Sequence, residues 1–185
     1  MSDMSDYLNE NRARLITLLS NIVEADTPHG WKKIGAVSIS GFVGFGFSKD
    51  KTNLALMVTS SGRSVIDCSI AQKISRDYEA FEGLDELGVF CEGITPIKEL
   101  ILLSNSSSGV PLQTTKGESL SLVSPNWPLN DLIFCGESGN PLIENSQENC
   151  VKIASDFIEA YSFSWCGNYF AVANNCDFEI WHRIK

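Results

Sequence analysis

The spacing of apolar residues changes from a helical period to a strand period early in the chain. Over residues 5–24, apolar side chains from Leu8 to Val23 recur near the i, i+3, i+4, i+7 spacing, which predicts an amphipathic α-helix. Pro28 and Gly30 are typical of a helix end followed by a turn. Beyond them, β-branched and aromatic residues lie in short runs separated by turn signals, so the rest of the chain is predicted to be rich in β-strands.

Short hairpins between these runs predict antiparallel pairing. The predicted strands lie near residues 32–39, 42–48, 53–59, 63–68, 87–90, 98–103, 119–123, 131–135, 157–164, 168–174 and 177–183. Short helices are predicted over 70–82, where Ile70, Ile74 and Tyr78 share one side, and over 146–156. The expected fold class is α+β. Since the polar loops are too short to be linkers, residues 1–185 are predicted to form a single domain.

One part of the chain echoes another. The matching segments are, in order, 43–48 with 159–164, 53–58 with 168–172, and 64–66 with 177–181. The pairs Phe47-Ser48 and Phe163-Ser164 close the first strand of each copy. Two copies of one meander predict a pseudo-symmetric pair of antiparallel sheets packed with helices. The alternative is that any β meander shares these features. The second copy also looks like a WD-repeat blade, but two units cannot close a propeller, which needs at least about four.

The charge balance excludes several classes of partner. The 185 residues contain 14 Lys and Arg against 23 Asp and Glu, a formal net charge of -9, so a nucleic acid or an anionic membrane would be repelled. Residues 1–10 lack the features of a signal peptide, and no apolar run reaches about 18 residues. A cytoplasmic protein with neither a nucleic-acid nor a membrane partner is therefore expected. The six cysteines are expected to be free thiols, although an exported chain could pair them in disulfides.

The acidity is concentrated in one part of the chain. Residues 77–160 carry a formal charge of -11, so the remainder carries +2, and the six acids of residues 77–92 have no base among them. Such a face favours a cationic protein partner, whose approach it would steer, although a purely solubilising surface is the alternative. The predicted partner-binding residues are Glu79, Glu82, Asp85, Glu86, Glu92, Glu137, Glu144 and Glu148.

One segment suggests catalysis. Gly136-Glu-Ser138-Gly-Asn-Pro-Leu142 is similar to the nucleophile segment of trypsin-like serine proteases. A serine nucleophile needs a histidine base, and the two candidates, His29 and His182, lack the expected context, so a glycine-rich turn is favoured. The histidines and scattered cysteines give no metal-ligand spacing, and no phosphate-binding glycine loop is present. We therefore predict no catalytic residue, no metal and no cofactor.

The closing pattern, Tyr161-Ser-Phe-Ser-Trp-Cys-Gly-Asn-Tyr-Phe-Ala171 with Phe178-Glu-Ile-Trp181, and the acidic character of the chain resemble immunity proteins of bacterial contact-dependent growth inhibition systems. The resemblance implies a non-catalytic cytoplasmic protein that binds and neutralises a cognate toxin domain, which the acidic face suggests is a basic nuclease. Some such proteins are similar to the Whirly fold, whose two meander-and-helix units would explain the echo. The lysine-containing DNA-binding segment of Whirly proteins is missing here. The alternatives are a serine hydrolase using Ser138 and a structural β-rich interaction module.

Overall fold

The computed structural model describes residues 2–79, 81–105 and 109–184. Within these ranges the chain forms one α-helix, α1 (Ser2–Leu19), one 3-10 helix (Glu144–Ser146) and fourteen strands. The strands are β1 (Val23–Glu24), β2 (Trp31–Ser38), β3 (Phe42–Phe47), β4 (Leu54–Thr59), β5 (Gly62–Asp67), β6 (Gln72–Asp77), β7 (Phe90–Glu92), β8 (Leu100–Leu102), β9 (Ser119–Val123), β10 (Asn130–Cys135), β11 (Cys150–Asp156), β12 (Ile158–Phe163), β13 (Tyr169–Asn174) and β14 (Asp177–Arg183). Mostly antiparallel sheets with an N-terminal helix confirm the α+β class.

The chain divides into two compact units. The first unit comprises the residues up to Pro28 together with Thr115–Phe157, and the second comprises His29–Thr114 and the residues from Ile158 onward. The single domain expected over 1–185 and the Whirly-like arrangement stay predictions. None of the helices in the described ranges is long and apolar enough to cross a membrane.

The first unit is α1 with a four-stranded sheet in the order β1-β11-β10-β9. The helix confirms the predicted one but ends at Leu19, before the predicted end at residue 24. One of its clusters of buried side chains comprises Leu19, Ile22, Ile133, Cys135 and Cys150. The last two are opposite one another on β10 and β11, both as free thiols. Burial and the neighbouring Cys135 thiol raise the pKa of Cys150 to about 12.

The helix predicted over 146–156 is wrong. The 3-10 turn ends at Ser146, and residues 150–156 form β11, which pairs with β10 on one side and with β1 on the other. Apolar residues in so short a stretch fit a helix or a buried strand equally well. The backbone partners supplied by two neighbouring strands decide the outcome, because they satisfy N–H and C=O groups along both edges of β11.

The second unit contains two four-stranded antiparallel sheets and one hairpin. One sheet runs β12-β13-β14-β2, so that β2, from the other end of the unit, completes the C-terminal meander. The other sheet runs β3-β4-β5-β6. The hairpin is β7-β8. The strand predicted over 87–90 is wrong except at Phe90, where β7 begins, and the strand predicted over 98–103 is confirmed in the shorter β8. The strands predicted near 32–39, 42–48, 53–59 and 63–68 are confirmed as β2 to β5, and none of their ends differs from the prediction by more than one residue.

The helix predicted over 70–82 is also wrong. The chain turns at Ala71, which has a left-handed φ of +51°, and then forms β6 against β5. Ile70, Ile74 and Tyr78, which are predicted to share one side of that helix, are all exposed. Ile74 lies in the edge strand β6, and Ile70 and Tyr78 flank that strand. Their i, i+4, i+8 spacing in the sequence therefore does not reflect a helix.

The internal echo is confirmed as two meanders with the same closing turn. The Ser48 N–H donates to the Leu54 carbonyl (3.0 Å), and the Ser164 N–H donates to the Tyr169 carbonyl (2.9 Å). Each serine hydroxyl also accepts a backbone N–H inside its turn, from Lys51 and from Tyr169 respectively. Both serines are buried. A buried hydroxyl must be paired, and here the pairing fixes the turn that follows the first strand of each copy.

The two large sheets share a core. In it the Phe45 and Phe178 rings, one from each sheet, meet edge-on with centroids 4.8 Å apart. The opposite face of β3-β4-β5-β6 is covered by a second cluster that includes Cys91, Ile97 and Ile101. All six residues of β4 are therefore buried, which explains why its sequence is a nearly continuous apolar run.

Candidate functional site

The predicted partner surface centres on residues 77–92, here called the acidic segment, which links β6 to β7. Four of its six acids are exposed: Glu79, Glu82, Glu86 and Glu92. The other two are half-buried: Asp77 pairs with Arg63 of β5, and Asp85 accepts a backbone N–H within the segment. The inner side of the segment is fixed by Leu84 and Cys91, which form a β-bridge with each other and contact the cluster beneath β4.

Arg63 of β5 ties the acidic segment to the sheet. The Arg63 side chain is only 6% exposed, and it forms ion pairs with Asp77 and, at 3.3 Å, with Glu82. It also donates to the Glu92 carbonyl at 3.1 Å. The sequence places no base among the six acids, but the structure brings Arg63 from a distant position against two of them, where its single positive charge offsets one of the six negative charges. The Glu79 N–H, followed by the Arg63 guanidinium, lowers the pKa of Asp77.

Asp85 has a role inside the segment. Its carboxylate accepts the N–H groups of Val89 (2.7 Å) and Phe90 (2.8 Å), while its own N–H donates to the Phe90 carbonyl (2.9 Å). The Leu103 N–H bonds the Val89 carbonyl from outside the segment. These bonds fix the turn that leads into β7, so the structure gives Asp85 a positioning role, and its predicted contact with a partner stays a prediction.

Exposed apolar side chains lie among the exposed acids. Tyr78 is 76% exposed, Phe81 54% and Leu87 82%, and Leu100 on the neighbouring β8 is 60% exposed. Phe81 also has a φ of +63°, a conformation that is costly for a bulky residue and that concentrates at functional sites. Sequence reasoning missed these residues, since it assigned Tyr78 to a helix and Leu87 to a strand. The sequence feature that could have indicated their exposure is their position among the acids of residues 77–92.

The remaining predicted acids belong to the first unit. Glu137, Glu144 and Glu148 are exposed, on the turn after β10 and around the 3-10 helix. The structure thus divides the eight predicted residues into five on the second unit and three on the first.

Ser138, the candidate nucleophile, lies in a tight turn. The Gly139 N–H donates to the Gly136 carbonyl at 2.9 Å, and Ser138 is exposed with a left-handed φ of +61°. This is the glycine-rich turn that the sequence favoured. Both histidines belong to the second unit, where His182 stacks on the Tyr169 ring at a centroid distance of 4.5 Å. Across the described ranges, no group of three His, Cys, Asp or Glu side chains is placed to hold a metal ion.

Comparison of the chain with protein-family models, with curated proteins and with solved structures gives no match.

Proposed function

We propose that this chain is a non-catalytic, cytoplasmic immunity protein that captures a basic toxin domain, a nuclease by its charge, through the acidic segment. The observation that carries the proposal is the segment from Tyr78 to Glu92, in which four exposed carboxylates are interspersed along the chain with exposed aromatic and aliphatic side chains on a braced loop.

The composition of this surface is that of a protein–protein interface. Interfaces combine an apolar, often aromatic centre with a polar rim, and a few central side chains carry most of the binding energy. Tyr78, Phe81 and Leu87 supply the apolar area, and Glu79 and Glu86 supply the charge. A merely solubilising surface gains nothing from exposing large apolar side chains, so their presence favours the binding interpretation over the solubilising one.

The bracing of the segment lowers the cost of binding. Arg63, Asp85 and the bond from Leu103 hold the loop in one conformation before any partner arrives. Side chains on an ordered loop lose less entropy on association than those on a flexible one. The net charge of -9 then accelerates encounter with a cationic surface, an effect that salt screens.

The test compares two matched triple variants against the toxin domain encoded beside this gene. Glu79→Lys/Glu86→Lys/Glu92→Lys reverses three of the four exposed acids of the acidic segment, and Glu137→Lys/Glu144→Lys/Glu148→Lys reverses the three predicted acids of the first unit. Both triples change the formal net charge from -9 to -3. Association rates are measured by surface plasmon resonance at several salt concentrations, with growth rescue on co-expression as the cellular readout.

We expect the first triple to slow association by about tenfold or more at low salt and to abolish rescue, because rim charges act mainly on the on-rate. For the second triple, the association rate should fall only by the amount that the change in net charge causes. Leu87→Asp, which keeps every acid, should shorten the lifetime of the complex. Equal losses in the two triples would exclude the acidic segment as the binding face, and a toxin that no form of this protein binds would refute the function itself.

A further inference from the structure

A cleft of about 210 Å³ lies in the second unit, where the end of β2 meets the strands β4, β5 and β6. Its lining holds five hydroxyl side chains, two cations and two apolar side chains, and none of the lining residues is an acid. In a chain with 23 acids and only 14 cations, this local reversal of sign is notable. The cations are Lys73 and Arg76, both on β6.

A β-bulge places the two cations on the same face of the sheet. Residues three apart on a regular strand point to opposite faces. Ser64 pairs with Arg76 and Ile66 pairs with Lys73, so one extra residue of β6, Ile74, is accommodated between these pairs. Since Ser64 and Ile66 share a face of β5, so do Arg76 and Lys73. Bulges recur next to functional sites, where they redirect side chains.

Neither cation is neutralised by a carboxylate among the described residues. Instead, the Lys73 ammonium donates to the Ser38 carbonyl at 2.7 Å, and the Arg76 guanidinium donates to the Ser61 hydroxyl at 3.0 Å and to the Ser61 carbonyl at 3.3 Å. These bonds orient the two groups and leave further N–H donors on each. Burial, followed by the charge of Arg76, lowers the pKa of Lys73, which is the effect expected where like charges are held together without an anion.

Ser64 adds a donor to the floor of the cleft. The residue is 2% exposed, lies in the lining, and has no side-chain hydrogen bond within the described structure. It lies directly opposite Met57 on β4 and Arg76 on β6, in one row across the sheet. A ligand with acceptor oxygens in the cleft would give this hydroxyl a hydrogen-bond partner.

We propose that this cleft binds a phosphate group, either as inorganic phosphate or as the phosphate of a small monoester. A guanidinium, an ammonium and converging hydroxyls are the donor set that phosphate oxygens accept, and arginine supports bidentate contacts. The volume suits a ligand below the size of a typical drug molecule, for which pockets begin near about 300 Å³. The lining of the cleft includes none of the residues assigned to partner capture, although the Arg76 guanidinium also lies 4.8 Å from the centroid of the Tyr78 ring.

The test is isothermal titration calorimetry of the full chain with inorganic phosphate and with glycerol 3-phosphate, at constant ionic strength. We expect saturable binding at one site per chain. Lys73→Met/Arg76→Met should weaken it by about tenfold or more, since bonds to charged groups are lost. Both residues are exposed, so this variant should fold. The matched control is Lys51→Met/Lys98→Met, which removes two exposed lysines outside the lining and gives the same net charge.

Ser64→Val gives a second test that keeps both cations, because its added methyl group occupies the floor of the cleft and removes a donor. We expect binding to fall with this variant too. The tighter of the two titrants identifies the source of the phosphate group. Binding that is absent in the wild type, unchanged in Lys73→Met/Arg76→Met, or equally reduced in the control pair would overturn the proposal.

Discussion

Replacing Arg63 with methionine should destabilise the protein by about 2 kcal/mol and loosen the acidic segment. The substitution keeps an unbranched apolar side chain in a site where Arg63 is 5% exposed. It removes the ion pairs with Asp77 and Glu82 and the bond to the Glu92 carbonyl. Those three contacts join the Arg63 side chain to the acidic segment.

The magnitude follows from the charge-assisted hydrogen bond between the Arg63 guanidinium and the Glu92 carbonyl, since bonds to charged groups contribute about 1.5–3 kcal/mol. The two carboxylate contacts add little, because the Asp77 side chain is 25% exposed and the Glu82 side chain is 64% exposed. The Arg63 Nε is buried without a hydrogen-bond partner among the described residues, and methionine removes this unpaired donor. That relief lowers the expected loss from the top of the range to about 2 kcal/mol.

Urea unfolding followed by circular dichroism measures this loss as a lower midpoint at an unchanged slope. Arg14→Met, on the exposed side of α1, is the matched control and should change stability by less than about 0.5 kcal/mol. If Arg63→Met is as stable as the control, the brace contributes nothing to the fold. Reduced hydrogen-exchange protection at residues 84–92 would locate the loosening.

The pH dependence of stability gives a second readout of the same site. The folded-state pKa of Asp77 lies below its ordinary value of 3.8, so the folded protein binds this proton more weakly than the unfolded chain. The stabilisation is therefore present above that value and is lost as the pH falls through the lowered pKa. Because the Glu79 N–H is the largest cause of the shift, Arg63→Met should reduce the acid sensitivity only in part, whereas Asp77→Asn should remove this contribution. An unchanged acid profile in Asp77→Asn would contradict the assignment.

Two further predictions concern packing and thiol chemistry. An added Cβ at Gly46 would collide with the Leu102 carbonyl, so Gly46→Ala should lower the free energy of unfolding by about 3 kcal/mol. The control is Gly109→Ala, which places its Cβ in open space and should be nearly neutral in a thermal unfolding measurement. Under native conditions a maleimide should label the exposed Cys166 and Cys176 well before the four buried cysteines. Peptide mass spectrometry measures the order of labelling, and equal rates at all six cysteines would contradict the burial.

The sequence predicted the meanders well because their information is local. Each hairpin of β3 to β5 and of β12 to β14 lies between clear turn signals, and the Phe-Ser pairs mark the same turn twice. It failed at β6 and β11, where periodicity over a few residues suggested helices. In both cases the strand exists because a neighbouring strand supplies hydrogen bonds, and that pairing depends on contacts made elsewhere in the chain.

The candidate sites show the same limit. The acids of residues 77–92 are visible in the sequence, but their brace is not, since Arg63 lies 14 positions before Asp77 and meets it only through strand register. The cleft was missed altogether. Its signal was a lysine and an arginine three apart with serine-rich turns nearby, and an unbulged strand would have separated the two cations.

The strand pair β5-β6 relates the two proposals physically. Arg63 is opposite Asp77, and the next residues, Ser64 and Arg76, are opposite each other. Since successive residues of a strand point to opposite faces, one face of this pair holds the brace of the acidic segment and the other holds the donors of the cleft. One face therefore holds the Asp77 carboxylate paired with Arg63. The other face holds the Arg76 guanidinium, which forms no ion pair with a carboxylate among the described residues and can bind an anion. A one-residue slip in this register would exchange the faces and abolish both sites together.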